Sequence, residues 1–194
     1  MVRCIYSVTK RGKVKFRVIS GVFGGRHITA PDTDATHPMS ERVRNAMFNI
    51  LGDKLKGARV LDTFAGSGSI GIEAVSRGAA HATFIERDRH ASDALRANII
   101  LLGIEAQTKT VHGTVESYVK NTQDRFDIIC VDPPYDDMQL STVFTLTNLL
   151  QPNGLMVLSY PGRGEAPTGT NGVVVVDNRS YGTAALAFYR KEDV

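Results

Sequence analysis

Cysteine is scarce. Cys4 and Cys130 are the only two, at no spacing that a disulfide framework or a thiolate metal site uses. The five histidines, His27, His37, His81, His90 and His112, likewise lack metal-ligand spacing, so no bound metal is expected. Cys130 sits inside an apolar run and reads as a core thiol, since a reactive one needs an exposed, electropositive setting. No apolar run approaches the roughly 18 residues of a membrane helix. Residues 1–15 lack the apolar stretch of a secretion signal, and the expected location is the cytoplasm. Acid is also short, but only locally. Residues 1–60 hold 12 Lys and Arg against 4 Asp and Glu, a net +8, while the remainder holds 11 against 16, a net −5. A basic end beside an acidic body points to a polyanion partner, RNA or DNA.

What is present is organised around residues 59–71, Arg-Val-Leu-Asp-Thr-Phe-Ala-Gly-Ser-Gly-Ser-Ile-Gly. An apolar run ends at Asp62 and Phe64, Gly66, Gly68 and Gly71 follow, and a helix-compatible segment comes next: strand, tight turn, helix. Such a turn lets a ligand lie against bare backbone, with Asp62 at the strand's carboxyl end, where open α/β sheets bind ligands. Glu86 closes the next apolar run about twenty residues on, the place of a carboxylate that grips ribose hydroxyls. The glycine spacing alone fits a dinucleotide as well as an adenosyl group.

Along the chain, the basic stretch over residues 3–17 precedes a glycine-turned β-hairpin over 16–31 that presents Arg17 and Arg26. A polar loop over 32–39 leads to Ser40, which caps a helix to about 55; Val43, Met47, Ile50 and Leu51 form its buried stripe, and Arg42 and Arg44 fall off it. Strands at 60–64, 82–86, 107–112, 126–131 and 154–160 alternate with helices at 69–77, 89–102, 115–121 and 139–150. Repeated βα units of this length predict a parallel sheet with helices on both faces. Two closely spaced strands, 173–176 and 184–189, form an antiparallel hairpin that finishes it. The reading is therefore α/β and Rossmann-like, with residues 1–58 as a basic extension of tail, hairpin and helix, and 59–194 as the catalytic domain.

The second motif is Asp132-Pro133-Pro134-Tyr135, after the almost wholly apolar strand 126–131. A central strand delivers Asp132 to the edge that holds Asp62. The prolines donate no N–H and leave carbonyls free to accept, while Tyr135 offers a flat face. This set suits a planar heterocycle with an exocyclic amine.

Leu61 to Gly71, Glu86 and Asp132-Pro-Pro-Tyr135 together resemble the S-adenosylmethionine-dependent methyltransferases of exocyclic amines. Arg17-Val-Ile-Ser-Gly, Gly25-Arg26, Ser40-Glu-Arg-Val-Arg, Phe48-Asn-Ile-Leu, Ser76-Arg-Gly-Ala and Arg179-Ser-Tyr-Gly narrow the resemblance to the bacterial 16S ribosomal RNA guanine-N2 methyltransferases, over about 14–189. That family commonly has Arg and Thr where this chain has His37 and Met39. The resemblance implies a seven-stranded sheet with its final strand antiparallel and S-adenosyl-L-methionine over the glycine turn. Asp62, Gly66 and Gly68 would then hold its methionine part, Glu86 the ribose, and Gly113 and Thr114 the adenine, with Phe64 also in the cofactor site. Asp132, Pro133, Pro134 and Tyr135 would be catalytic, and Arg17, Arg26, Arg42, Arg179 and Tyr181 would contact 16S rRNA in a small ribosomal subunit or its assembly intermediate. Other readings are a DNA adenine-N6 methyltransferase, opposed by the lack of an insertion for base reading, and a nicotinamide-dependent oxidoreductase, in which the Asp-Pro-Pro-Tyr has no role. A non-catalytic RNA-binding module would leave both motifs unexplained.

Overall fold

Strands that are apolar on both sides need cover on both sides. The computed structural model, which describes residues 8–9, 13–31, 39–162, 165–168 and 172–192, has that layering. In chain order it contains β1 (Val8–Thr9), β2 (Lys13–Arg17), β3 (His27–Pro31), α1 (Glu41–Leu51), β4 (Arg59–Asp62), α2 (Ser69–Ser76), β5 (His81–Glu86) and α3 (Arg89–Leu102). There follow β6 (Thr108–His112), α4 (Val115–Asn121), β7 (Phe126–Val131), α5 (Leu140–Thr145), β8 (Leu150–Pro161), β9 (Val173–Tyr181) and β10 (Ala184–Lys191). The main sheet has seven strands in the order β6-β5-β4-β7-β8-β10-β9. β4 to β8 are parallel to one another, and β10 runs antiparallel to both β8 and β9, as expected for the final strand.

Successive residues of β7 face opposite layers. Ile128 and Cys130 pack with Val43, Met47 and Phe48 of α1 and Ile70 and Ala74 of α2, whereas Ile129 and Val131 pack with Tyr118 of α4 and Val143 and Phe144 of α5. α3 joins the first layer through Leu95 and Ile99, which meet Ala82 and Phe84 of β5. Side chains set the helix starts: Ser40, Asp88 and Thr114 each accept the backbone N–H three residues on, from Val43, Ala91 and Ser117.

The N-terminal hairpin is present as β2 and β3, with β1 pairing a short stretch of β2. Its Phe16, Val18 and Ile28 pack on Ile72 and Val75 of α2 and Leu95 and Ile99 of α3. The polar tether is Glu73, a carboxylate wholly buried in α2. It accepts N–H bonds from Ile19 (2.7 Å) and Ser20 (3.0 Å), and from Arg77 Nε (2.7 Å). Arg77 passes the connection to α1, donating to Asn45 and Asn49 and lying over the Phe48 ring. One turn further along α2, Ser76 accepts from the Val22 and Phe23 amides, and the approach is so close that a Cβ on Gly21 would lie 1.8 Å from the Ser76 carbonyl oxygen.

Four expectations are corrected. Arg44 is not a surface residue of α1: it is buried, and its Nη2 donates to the Arg17 carbonyl at 2.7 Å. The first helix ends at Leu51, where Gly52 turns the chain with φ 50°, and residues 52–55 form a 3-10 turn. The helix expected over 139–150 stops at Thr145, gives way to a 3-10 turn over Leu146–Leu149, and β8 starts at Leu150 rather than 154. β9 runs to Tyr181, so Gly182 and Thr183 alone make the hairpin turn. The basic stretch before residue 8, Cys4 and the polar loop over 32–38, with His37, lie outside the described residues.

Replacing the Glu73 carboxylate by an amide sets an NH2 group against N–H donors. Glu73→Gln is expected to lower unfolding free energy by about 2–4 kcal/mol, measured by urea denaturation; a change within error would remove Glu73 as the tether of the hairpin.

Candidate active site

The sheet reverses its strand order between β4 and its neighbours, the place where open α/β sheets bind ligands. Register defines what gathers there. Asp62 on β4 pairs with Phe84 on one side and Cys130 on the other, so Glu86 and Asp132 each lie two residues beyond it on the flanking strands. Three carboxylates from three strands thus share one edge. Gly113 joins at the next strand, its N–H donating to the Glu86 carbonyl at 3.0 Å, and Thr114 follows with its hydroxyl accepting the Ser117 N–H as the cap of α4.

The glycine turn lies between these acids. Gly66 and Gly68 have φ of 54° and 87°, a region that side chains resist. Their roles differ. A Cβ on Gly68 would lie 2.4 Å from Leu95 Cδ1 and one on Gly71 2.2 Å from Phe84 Cε1, so both glycines let α2 press on β5 and α3. A Cβ on Gly66 would meet nothing within 4 Å, which leaves open space above the turn. Phe64 is half-buried at the edge of the second core layer.

Asp62 is fully enclosed. Its Oδ2 accepts the Gly71 N–H at 2.9 Å, and its Oδ1 has no hydrogen-bond partner. Burial pushes its carboxyl up to about 7, against the Gly71 bond and with the negative charges of Asp132 and Glu86 adding to the rise. Glu86 accepts one amide on each oxygen, Gly66 at 2.7 Å and Asp88 at 2.6 Å, and each oxygen retains capacity for a second donor. An orphaned carboxylate oxygen, a second acid with spare acceptors and open space above the turn fit a ligand with a cationic amine and a hydroxylated sugar. The same charges oppose a pyrophosphate.

Asp132 follows β7, its carboxyl pushed up to about 6 by burial and held down by hydrogen bonding from the Ser159 hydroxyl and the Met39 amide. Ser159, buried on β8, also lies 2.7 Å from the Tyr135 hydroxyl. A hydroxyl has one proton; when Ser159 gives it to the carboxylate, Tyr135 is the donor to Ser159. The Tyr135 ring remains partly exposed. Pro133 is buried, and the Pro134 carbonyl accepts the Asp137 N–H at 3.0 Å.

The expected RNA contacts are distributed differently. Since the Met39 amide reaches Asp132, α1 begins beside the site, with Arg42 exposed on its first turn and Arg17 paired to Glu41. Arg26, over the Phe23 ring at 5.5 Å, belongs to the turn docked on the far end of α2. Arg179 pairs with Asp177 on β9, and Tyr181 packs against the first core layer at the outer strand. Glu73, Asn98 and Ser159 escaped the sequence reading, and Met39 enters it only as a departure from the family pattern. Glu73 and Ser159 were visible as single polar residues in apolar runs; Met39 acts through its backbone and carries no such mark. Among the described residues, no group of three metal-ligating side chains is found.

Residues 16–190 match the family described as conserved hypothetical protein 95. The Ribosomal RNA small subunit methyltransferase D of Escherichia coli (strain K12) is 37% identical over 143 residues, 74% of this chain and 70% of its own. The Bacillus subtilis protein YlbH is 33% identical over 181 residues, 90% of this chain and 98% of its own. An Escherichia coli protein of known structure, yhhF, superposes with a TM-score of 0.84 at 30% identity, covering 93% of this chain and 99% of that one. With a match over nearly its whole length and relatives of this identity, the chain belongs to the ribosomal RNA small subunit methyltransferase D family.

Proposed function

We propose that this protein transfers the methyl group of S-adenosylmethionine to the exocyclic N2 amine of a guanine in 16S ribosomal RNA, within a small ribosomal subunit or its assembly intermediate in the cytoplasm. The observation that carries the reading is Asp132 with its proline carbonyls, set beside the glycine turn and two further acids in a member of this family. Asp62 and the turn hold the methionine end, Phe64 borders it, Glu86 takes the ribose, and Gly113 and Thr114 flank the adenine. When bound, the cofactor supplies an electrophilic sulfonium methyl.

Guanine N2 is a poor nucleophile because its lone pair is delocalised into the ring. Asp132 accepts one amine N–H, and the Pro133 carbonyl takes the other, since the Pro134 carbonyl serves Asp137. Two acceptors on the amine favour a pyramidal nitrogen aimed at the methyl group, and position accounts for much of the rate. Tyr135 stacks on the base. The proton departs after transfer, so Asp132 acts as acceptor rather than as strong base. Arg17 and Arg42 meet the phosphates next to the target; Arg26, Arg179 and Tyr181 contact RNA further out.

The test is transfer of labelled methyl to unmethylated small subunits, naked 16S RNA and duplex DNA, with nucleoside analysis. N2-methylguanosine is expected from subunits or RNA; methyladenine from DNA would overturn the substrate. Asp132→Ala is expected to abolish transfer while S-adenosylhomocysteine still binds, and retained activity would remove Asp132 from the reaction.

Tyr135→Ala is expected to lower kcat/KM by roughly 5- to 100-fold through lost stacking. Tyr135→Phe loses only the link to Ser159 and falls by less; equal losses would argue against stacking.

Cofactor affinity also has a sign. Below about pH 7 Asp62 is protonated in the free protein, whereas a cationic ammonium favours the carboxylate, so binding expels a proton. Affinity is expected to rise between about pH 5.5 and 7, followed by calorimetry, and Asp62→Asn should flatten that slope. A flat wild-type profile would take Asp62 away from the cationic end.

A further inference from the structure

Asn98 in α3 is buried and has every hydrogen-bonding group of its amide engaged. Its Oδ1 accepts the Thr29 N–H at 3.0 Å, and its Nδ2 donates to the Thr29 carbonyl at 2.9 Å and to the Ser67 carbonyl at 3.0 Å. Thr29 belongs to β3 of the N-terminal hairpin; Ser67 is the residue between Gly66 and Gly68. One planar amide therefore joins the hairpin to the cofactor turn. Both Thr29 backbone groups are spent on Asn98, so β3 fixes the plane of the amide. That plane in turn fixes where the second N–H points, and with it the Ser67 carbonyl. The turn is also held by the Gly66 N–H to Glu86, the Gly68 N–H to the Ala65 carbonyl and the Gly71 N–H to Asp62, all within the sheet-and-helix body; Asn98 links it to the hairpin.

We propose that Asn98 is a positioning residue through which docking of the N-terminal hairpin shapes the cofactor turn, so that occupancy of the hairpin surface and of the cofactor site are coupled. The inference rests on the reading of the glycine turn as the S-adenosylmethionine site. Linkage makes the coupling reciprocal: whatever RNA binding to β2 and β3 contributes to cofactor affinity, the cofactor returns to RNA.

Two variants and two readouts test it. Asn98→Ala is expected to weaken S-adenosylhomocysteine binding by about tenfold, the scale of one lost buried hydrogen bond with its partner left unpaired, with the loss falling on KM for the cofactor more than on kcat. Thr29→Pro removes the N–H that orients the amide while leaving Asn98 and the turn chemically intact, and it is expected to weaken binding several-fold.

In cofactor-free protein, hydrogen exchange of the Gly66, Gly68 and Gly71 amides should accelerate in both variants relative to the Ile129 amide in the central strand. A residue that only stabilises the fold would speed all four amides together and leave the dissociation constant unchanged; that result overturns the proposal. Should Asn98→Ala fail to fold, Thr29→Pro decides alone by the same criteria. Wild-type protein that fails to bind S-adenosylhomocysteine would instead refute the cofactor reading.

Discussion

Three carboxylates crowd one sheet edge, and most of the site follows from holding them there. Asp62 is buried with one oxygen unpartnered, between Asp132 and Glu86. Burying an unpaired acid is unfavourable, so the free protein keeps Asp62 in part as the neutral acid. The backbone around it is arranged to limit the charge that remains. Gly71 donates to Asp62, Gly66 and Asp88 donate to Glu86, and Ser159 and Met39 hold Asp132 down. Gly71, which allows α2 to press on β5, thus also supplies the amide that tempers Asp62, which ties the packing of the fold to its electrostatics.

The N-terminal hairpin is bound into this arrangement rather than appended to it. Glu73 captures Ile19 and Ser20, Ser76 captures the following turn, and Asn98 captures β3. Each tether comes from a helix that begins at the site edge and ends away from it. A basic segment that reads from the sequence as an appendage therefore shares helices α2 and α3 with the cofactor turn.

The legible part of the molecule was the part governed by local pattern. Apolar runs and glycine spacing located β4, β5 and β7, and the βα rhythm alone required Asp62, Glu86 and Asp132 to emerge at one edge. The boundary between α5 and β8 is not legible because Leu146, Leu149 and Leu150 keep a helical i, i+3, i+4 spacing across the 3-10 turn and into the strand. Arg44 falls off the apolar stripe of α1 and is nonetheless buried, because periodicity assigns a face and says nothing of a backbone carbonyl waiting on it. Glu73, Asn98 and Ser159 escaped for a related reason. Glu73 and Asn98 bond backbone groups 31 to 69 residues away, and Ser159 meets Tyr135 across 24 residues. A polar residue in an apolar run shows that it is buried, and partners at that separation leave no local mark of what it meets.

β10 lies between β8 and β9, although it follows β9 in the chain. During synthesis β9 therefore emerges before β10, the strand it pairs with. A ribosome-bound chain must keep the valines of Val173–Tyr181 unpaired until β10 inserts against β8 and supplies β9 its partner. The outer third of the sheet is in this sense assembled backwards, and the interval between the two strands is when the nascent protein is most exposed to mispairing.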